Sequence, residues 1–149
     1  MKTEIEEYLA ATFSDKEYHK RPWITCKDGA GVSVQAGEGF YCAPRVGRLR
    51  HYHKVECGYP SVVPPDSWKE YAEEWTRRKG DLWRNIKLLL WAVRNKYPAS
   101  KSIYWRRLTR PMPTQTVYAY MPIEIAQDYL DAHGGIDWEK TMARKDEMK

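Results

Sequence analysis

The chain has 149 residues, 42% hydrophobic and 30% charged. That length and composition fit one globular domain and exclude an intrinsically disordered chain. The formal net charge is +5. The longest apolar stretch, Leu88 to Val93, is far too short to span a bilayer. No apolar run follows Met1-Lys2-Thr3-Glu4, so no signal peptide is expected. Three cysteines, an odd number, point to a reduced cytoplasmic setting rather than a disulfide framework.

Thr3 can cap a helix over residues 3–13, with acids in its first turn and Ile5, Tyr8, Leu9 and Thr12 on one face. Residues 23–57 read as β structure. Strand candidates are Trp23–Cys26, Val32–Ala36, Phe40–Cys42 and Tyr52–Cys57. Asp28-Gly29 and Gly37-Glu38-Gly39 supply the turns between the first three.

Residues 66–97 read as two helices joined at Gly80, or else one long helix kinked there, with Asp66 or Ser67 as cap and Glu70 as a capping-box acid. Trp68, Tyr71, Ala72 and Trp75 form one stripe, and Leu82, Ile86, Leu89, Leu90 and Val93 a second. Residues 102–109 and 114–121 read as two further strands. Pro122 suits the first position of a helix that His133-Gly134-Gly135 closes. The charged residues 137–149 read as a mobile tail. The expected fold class is α+β: a small antiparallel sheet from 23–57 and 102–121, packed with terminal helices and carrying a helical hairpin at 66–97.

Charge is segregated along the chain. Residues 76–110 hold eleven basic side chains and one acid, Asp81; residues 43–54 hold four basic side chains and no acid. The remainder is net acidic at −9, so two basic segments sit on an acidic body. In the first segment, Trp83, Trp91, Tyr104 and Trp105 alternate with Arg84, Arg94, Arg106 and Arg107. Cationic side chains neutralise phosphates or acidic surfaces, and aromatic faces stack on bases or guanidinium groups. As a strand, 104–107 would divide Trp105 and Arg107 from Tyr104 and Arg106. The bland alternative is a solvated basic face over buried aromatic rings. Helix pairing alone would favour mixed charge, so the near absence of acids points to an anionic partner. The candidate binding residues are Arg77, Arg78, Trp83, Arg84, Lys87, Trp91, Arg94, Trp105, Arg106 and Arg107, with Arg45, Arg48 and Arg50 from the second segment.

Other motifs carry less. Gly29-Ala30-Gly31 and Gly37-Glu38-Gly39 open no helix and read as hairpin turns, not phosphate loops. Cys26, Cys42 and Cys57 with His51 or His53 could close a zinc site, but lack the close Cys-x-x-Cys spacing. Cys42 with either histidine is a conceivable nucleophile without an oxyanion loop. Neither a catalytic residue, a metal nor a cofactor is assigned.

Ile24-Thr25-Cys26-Lys27-Asp28-Gly29, Val32–Ala36, Tyr41-Cys42-Ala43-Pro44-Arg45 and Val55-Glu56-Cys57-Gly58-Tyr59-Pro60-Ser61 form one set of motifs. Thr116–Glu124 and His133-Gly134-Gly135 complete it. Together they resemble a family of small proteins common in phages and prophages of gut bacteria, over residues 24–61 and 113–136. The resemblance implies provenance rather than chemistry. Against that pattern this sequence has Cys57 in the Val-Glu-x-Gly strand and an additional basic helical stretch between Trp75 and Arg110.

The expected role is a phage-encoded inhibitor of bacterial immunity acting by stoichiometric binding in the host cytoplasm. Its best specific form is an anti-CRISPR protein that blocks an effector or its guide RNA through the basic aromatic helical face. A general RNA- or DNA-binding accessory protein is one alternative. A nucleotide-sequestering protein using Arg45, Arg48, Arg50 and His53 is another. The expected partner is a host protein or ribonucleoprotein with an acidic surface, or RNA, and not a membrane.

Overall fold

The computed structural model describes residues 2–77, 80–98 and 102–147. Four antiparallel strands form one sheet in the order β1 (Ile24–Thr25), β2 (Gly31–Gln35), β3 (Lys54–Gly58), β4 (Val117–Pro122). Helices α1 (Glu4–Ala11), α2 (Asp81–Arg94), α3 (Ile103–Thr109), α4 (Ile123–Ala132) and α5 (Trp138–Glu147) complete an α+β fold.

α1 forms as its sequence dictates. The Thr3 hydroxyl accepts from the Glu6 amide, and the Glu6 carboxylate accepts from the Thr3 amide, satisfying two of the orphan donors at a helix start. Ile5, Tyr8 and Leu9 face inward. They meet Ile123, Ala126, Tyr129 and Leu130 of α4 over the sheet face that carries Val32, Val34, Val55 and Cys57. Trp68 is buried in the same cluster, 5.0 Å from the Tyr118 ring and 5.2 Å from Tyr129, and its Nε1 donates to the Ile125 carbonyl. The opposite face carries Ser33, Gln35 and Glu56, in the alternation of a two-sided sheet.

Both sheet edges are covered. At β1, the Thr25 carbonyl accepts from the Asp137 amide, and Thr141 Oγ1 accepts from the Thr25 amide at 3.0 Å. Residues 138–147 are therefore helical and anchored through the fully buried Thr141, not a mobile tail. At β4, residues 72–74 lie alongside: Glu73 N donates to Val117 O and Glu74 N to Thr116 Oγ1.

Four expectations about elements change. Phe40–Cys42 is no strand. The Tyr41 amide donates to the Glu56 carboxylate, and its carbonyl accepts from Tyr120, which bulges out of β4 at φ 50°. Residues 66–71 form only a 3-10 turn with Pro65 at the cap, while Ser67 donates to Asp128 instead of capping. Residues 103–109 are helix α3, capped by Ser102 accepting from the Tyr104 amide. Pro122 stands one position before α4 rather than in its first turn. The expected hairpin is thus formed by α2 and α3, which pack on each other.

Candidate functional site

The α2–α3 hairpin is an excursion from one point of the body. The chain leaves the sheet edge at Glu74 and returns at Thr116, whose hydroxyl accepts from the Glu74 amide at 3.1 Å. Arg77 closes the stem. Its guanidinium donates to the Leu108 carbonyl at 3.0 Å and to the Arg110 carbonyl at 2.5 Å, a charge-assisted clasp on the end of α3. Arg77 is therefore a stem residue rather than a free contact. Arg78 lies outside the described residues.

Within α2, Asn85 and Ala92 are the buried side chains. Of the expected stripe, Leu82, Leu90 and Val93 are about half exposed, at 50%, 54% and 47%, while Ile86 and Leu89 are half-buried. Trp83, Trp91, Tyr97, Ile103 and Trp105 are exposed as well, so the aromatic rings are not buried beneath a charged face. Eight of the fifteen exposed large apolar side chains of the described residues fall between 82 and 105. This clustering marks an interaction surface rather than scattered surface apolarity.

At one hundred degrees per residue, Leu82, Val93, Ile86, Leu90 and Trp83 sweep one continuous arc of α2, followed by Arg94 and Lys87 and then Trp91 and Arg84. An apolar arc thus lies beside a basic one. Arg84 makes an exposed ion pair with Asp81 at 3.6 Å, a weak restraint. Lys87, Arg94, Arg106 and Arg107 have no ion-pair partner among the described residues. At the hairpin tip, Trp91, Ala92, Tyr97, Pro98, Ile103 and Tyr104 line an apolar notch of about 290 Å³.

Because α3 is helical, the two faces expected of a strand at 104–107 do not exist. Arg106, Arg107 and Arg110 share the face of α3 turned toward the body, where they line a cleft with Trp23 and Tyr59. Trp105 is exposed. Arg45, Arg48 and Arg50 are held on the body. Arg45 lies over the Tyr41 ring at 5.2 Å, Arg48 reaches Glu17 at 3.4 Å, and Arg50 stacks on Phe13 at 4.1 Å. The two basic segments therefore have separate surroundings.

The cysteines are packing groups. All three are buried in the core cluster. Burial pushes the Cys26 thiol up to about 12 and raises Cys57 and Cys42 as well. A protonated thiol is a poor nucleophile and a poor ligand. Among the described residues, no group of three or more His, Cys, Asp or Glu could hold a metal. No helix of the described residues is long and apolar enough to cross a membrane.

No family model, curated protein or solved structure matches this chain.

Sequence reasoning missed Lys20, Trp23, Tyr59, Lys140 and Arg144, which line an open trough of about 1000 Å³ on the polar face of the sheet. Its floor is Ser33, Gln35 and Glu56. Burial raises the Glu56 carboxyl above its ordinary range, opposed by the Tyr41 amide it accepts. The alternation Val32-Ser33-Val34-Gln35 marks this as the polar face. Its walls come from segments remote in sequence, so no local pattern announces them.

Proposed function

We propose that this is a binding protein whose α2–α3 hairpin docks on an acidic protein surface with an apolar centre. Its role is that of a phage-encoded inhibitor of bacterial immunity, in the specific form of an anti-CRISPR protein covering an effector. The observation that carries this reading is the run of exposed apolar side chains on α2, bordered by Lys87 and Arg94 and lying outside the core. Leu82, Leu90 and Val93 gain by burial against other apolar side chains, which favours a protein partner over bare nucleic acid. The helix suits docking into a groove through anchors at 82, 86, 90 and 93. Its cations would speed encounter with an acidic rim and fix the register. The phage-family motifs at 24–61 and 113–136 support the setting.

The test is plaquing of a CRISPR-targeted phage on cells that express the protein. Wild type is expected to restore plaquing, and Arg84→Glu with Arg94→Glu to abolish that effect without lowering the melting temperature. Survival of inhibition in the double variant would remove α2 as the site. Failure of wild type against a panel of CRISPR types would remove the anti-CRISPR role.

A further inference from the structure

The trough on the polar sheet face and the cleft between α3 and the body share two aromatic walls, Trp23 and Tyr59. The trough measures about 1000 Å³ and the cleft about 500 Å³. Together they exceed the range of a pocket for one small molecule. We propose that this continuous depression binds a single strand of nucleic acid, with bases stacked on Trp23 and Tyr59 and phosphates held at both ends.

Both rings sit on a fixed platform. A Cβ on Gly31 would run into the Trp23 indole, so the ring lies directly against that strand. The Gly31 amide donates to Ser61 Oγ at 2.8 Å, and the Gly31 carbonyl accepts from the Ser61 amide and from the Tyr129 hydroxyl. Tyr59 is held at φ 50°, a region that disfavours side chains with a Cβ, by its amide donating to the Thr116 carbonyl. Tyr59 is 53% exposed. A preorganised aromatic surface of this kind offers stacking to any unpaired base.

Cations stand on either side of the rings. Arg106, Arg107 and Arg110 line the cleft. Lys20, Lys140 and Arg144 line the trough. The acids lining it are Glu56 and Glu147, and Lys140 also makes a 3.8 Å ion pair with Asp137. An acidic floor keeps phosphates at the basic rims. The Glu56 carboxylate can accept from an exocyclic amine, as a carboxylate accepts from cytosine N4. A duplex hides its base faces and cannot use the two rings.

This site does not depend on the α2 surface, and its test separates the two. Fluorescence anisotropy of a short labelled oligodeoxycytidine, at about 50 mM salt, is expected to show saturable binding that weakens steeply as salt rises. Oligothymidine and a duplex of equal length are expected to bind more weakly. Tyr59→Asn removes the ring but keeps a residue tolerant of positive φ; it should weaken binding roughly tenfold. Lys140→Glu with Arg144→Glu, on the exposed side of α5, should weaken it by at least as much. Arg84→Glu with Arg94→Glu should leave it unchanged. No binding at low salt overturns the proposal. So does equal affinity for duplex, or affinity unmoved by both site variants but lost on reversal of the α2 charges. Equal affinity for oligothymidine overturns the role given to Glu56.

Discussion

Replacing residues 77–110 by a Gly-Ser linker of about six residues should leave the remainder folded. The Arg77 guanidinium reaches the Leu108 and Arg110 carbonyls, so the two ends lie within one arginine length. Six extended residues span about 20 Å, which is ample. No residue of the excised segment belongs to the core cluster, and Asn85 and Ala92 are its only buried side chains among the described residues. The loop closed by the Glu74–Thr116 contact shrinks from roughly forty residues to roughly a dozen, a gain of about 1 kcal/mol in closure entropy. Loss of the hairpin's few contacts with the body offsets that gain. The melting temperature should therefore stay within about 5 °C of the parent, with a cooperative transition by circular dichroism and dispersed amide resonances. The excised protein should have no inhibitory activity. A fall of more than about 10 °C, or loss of cooperativity, would show that the hairpin is part of the core and would refute the excursion argument.

Three other outcomes are expected. Thr141→Ala strands the buried Thr25 amide, so thermal denaturation should show a loss of about 1–3 kcal/mol, most of it recovered by Thr141→Ser. Glu56 has its carboxyl raised by burial, so the group contributes stability that is full below its unfolded value and lost as pH rises through the folded one. Glu56→Gln keeps an acceptor for the Tyr41 amide. It should therefore raise the melting temperature at pH 7, with the gain vanishing as pH falls toward 4, and a gain equal at both pH values would contradict this. Cys26, Cys42 and Cys57 should resist a thiol reagent in the native protein and titrate together on unfolding; one fast-reacting native thiol would disprove their assignment as packing groups.

The elements legible in the sequence are those fixed by short-range signals. Thr3 and Glu6 announce α1, Asp28-Gly29 announces the β1–β2 turn, and Gly134-Gly135 closes α4 with both glycines at positive φ. The segment 102–109 was misleading because Ile103, Tyr104 and Trp105 carry high strand propensity. A Ser102 cap and a partner helix override it. The α2 stripe was legible as a stripe, but periodicity reports that a helix is amphipathic and not what covers its apolar side. The mostly polar residues 138–147 conceal their anchors, because Trp138, Thr141 and Lys145 meet the core, the Thr25 backbone and the Ala11 carbonyl, all far away in sequence. Among the candidate site residues, Trp83, Trp91 and Trp105 are exposed. Arg77 clasps the hairpin stem, Arg45 and Arg50 lie over the Tyr41 and Phe13 rings, and Arg48 makes an exposed ion pair with Glu17.

The covering of both sheet edges has a consequence for self-association. A sheet with bare backbone along its rim recruits further strands, including those of its own copies. Here residues 72–74 occupy one rim, and the Thr25 backbone at the other is met by Asp137 and Thr141. Edge-to-edge association is thereby closed off, and at the hairpin the unpaired cations of one molecule repel those of the next. A chain with so much exposed tryptophan is consequently expected to stay monodisperse at high concentration until it meets a surface of opposite charge.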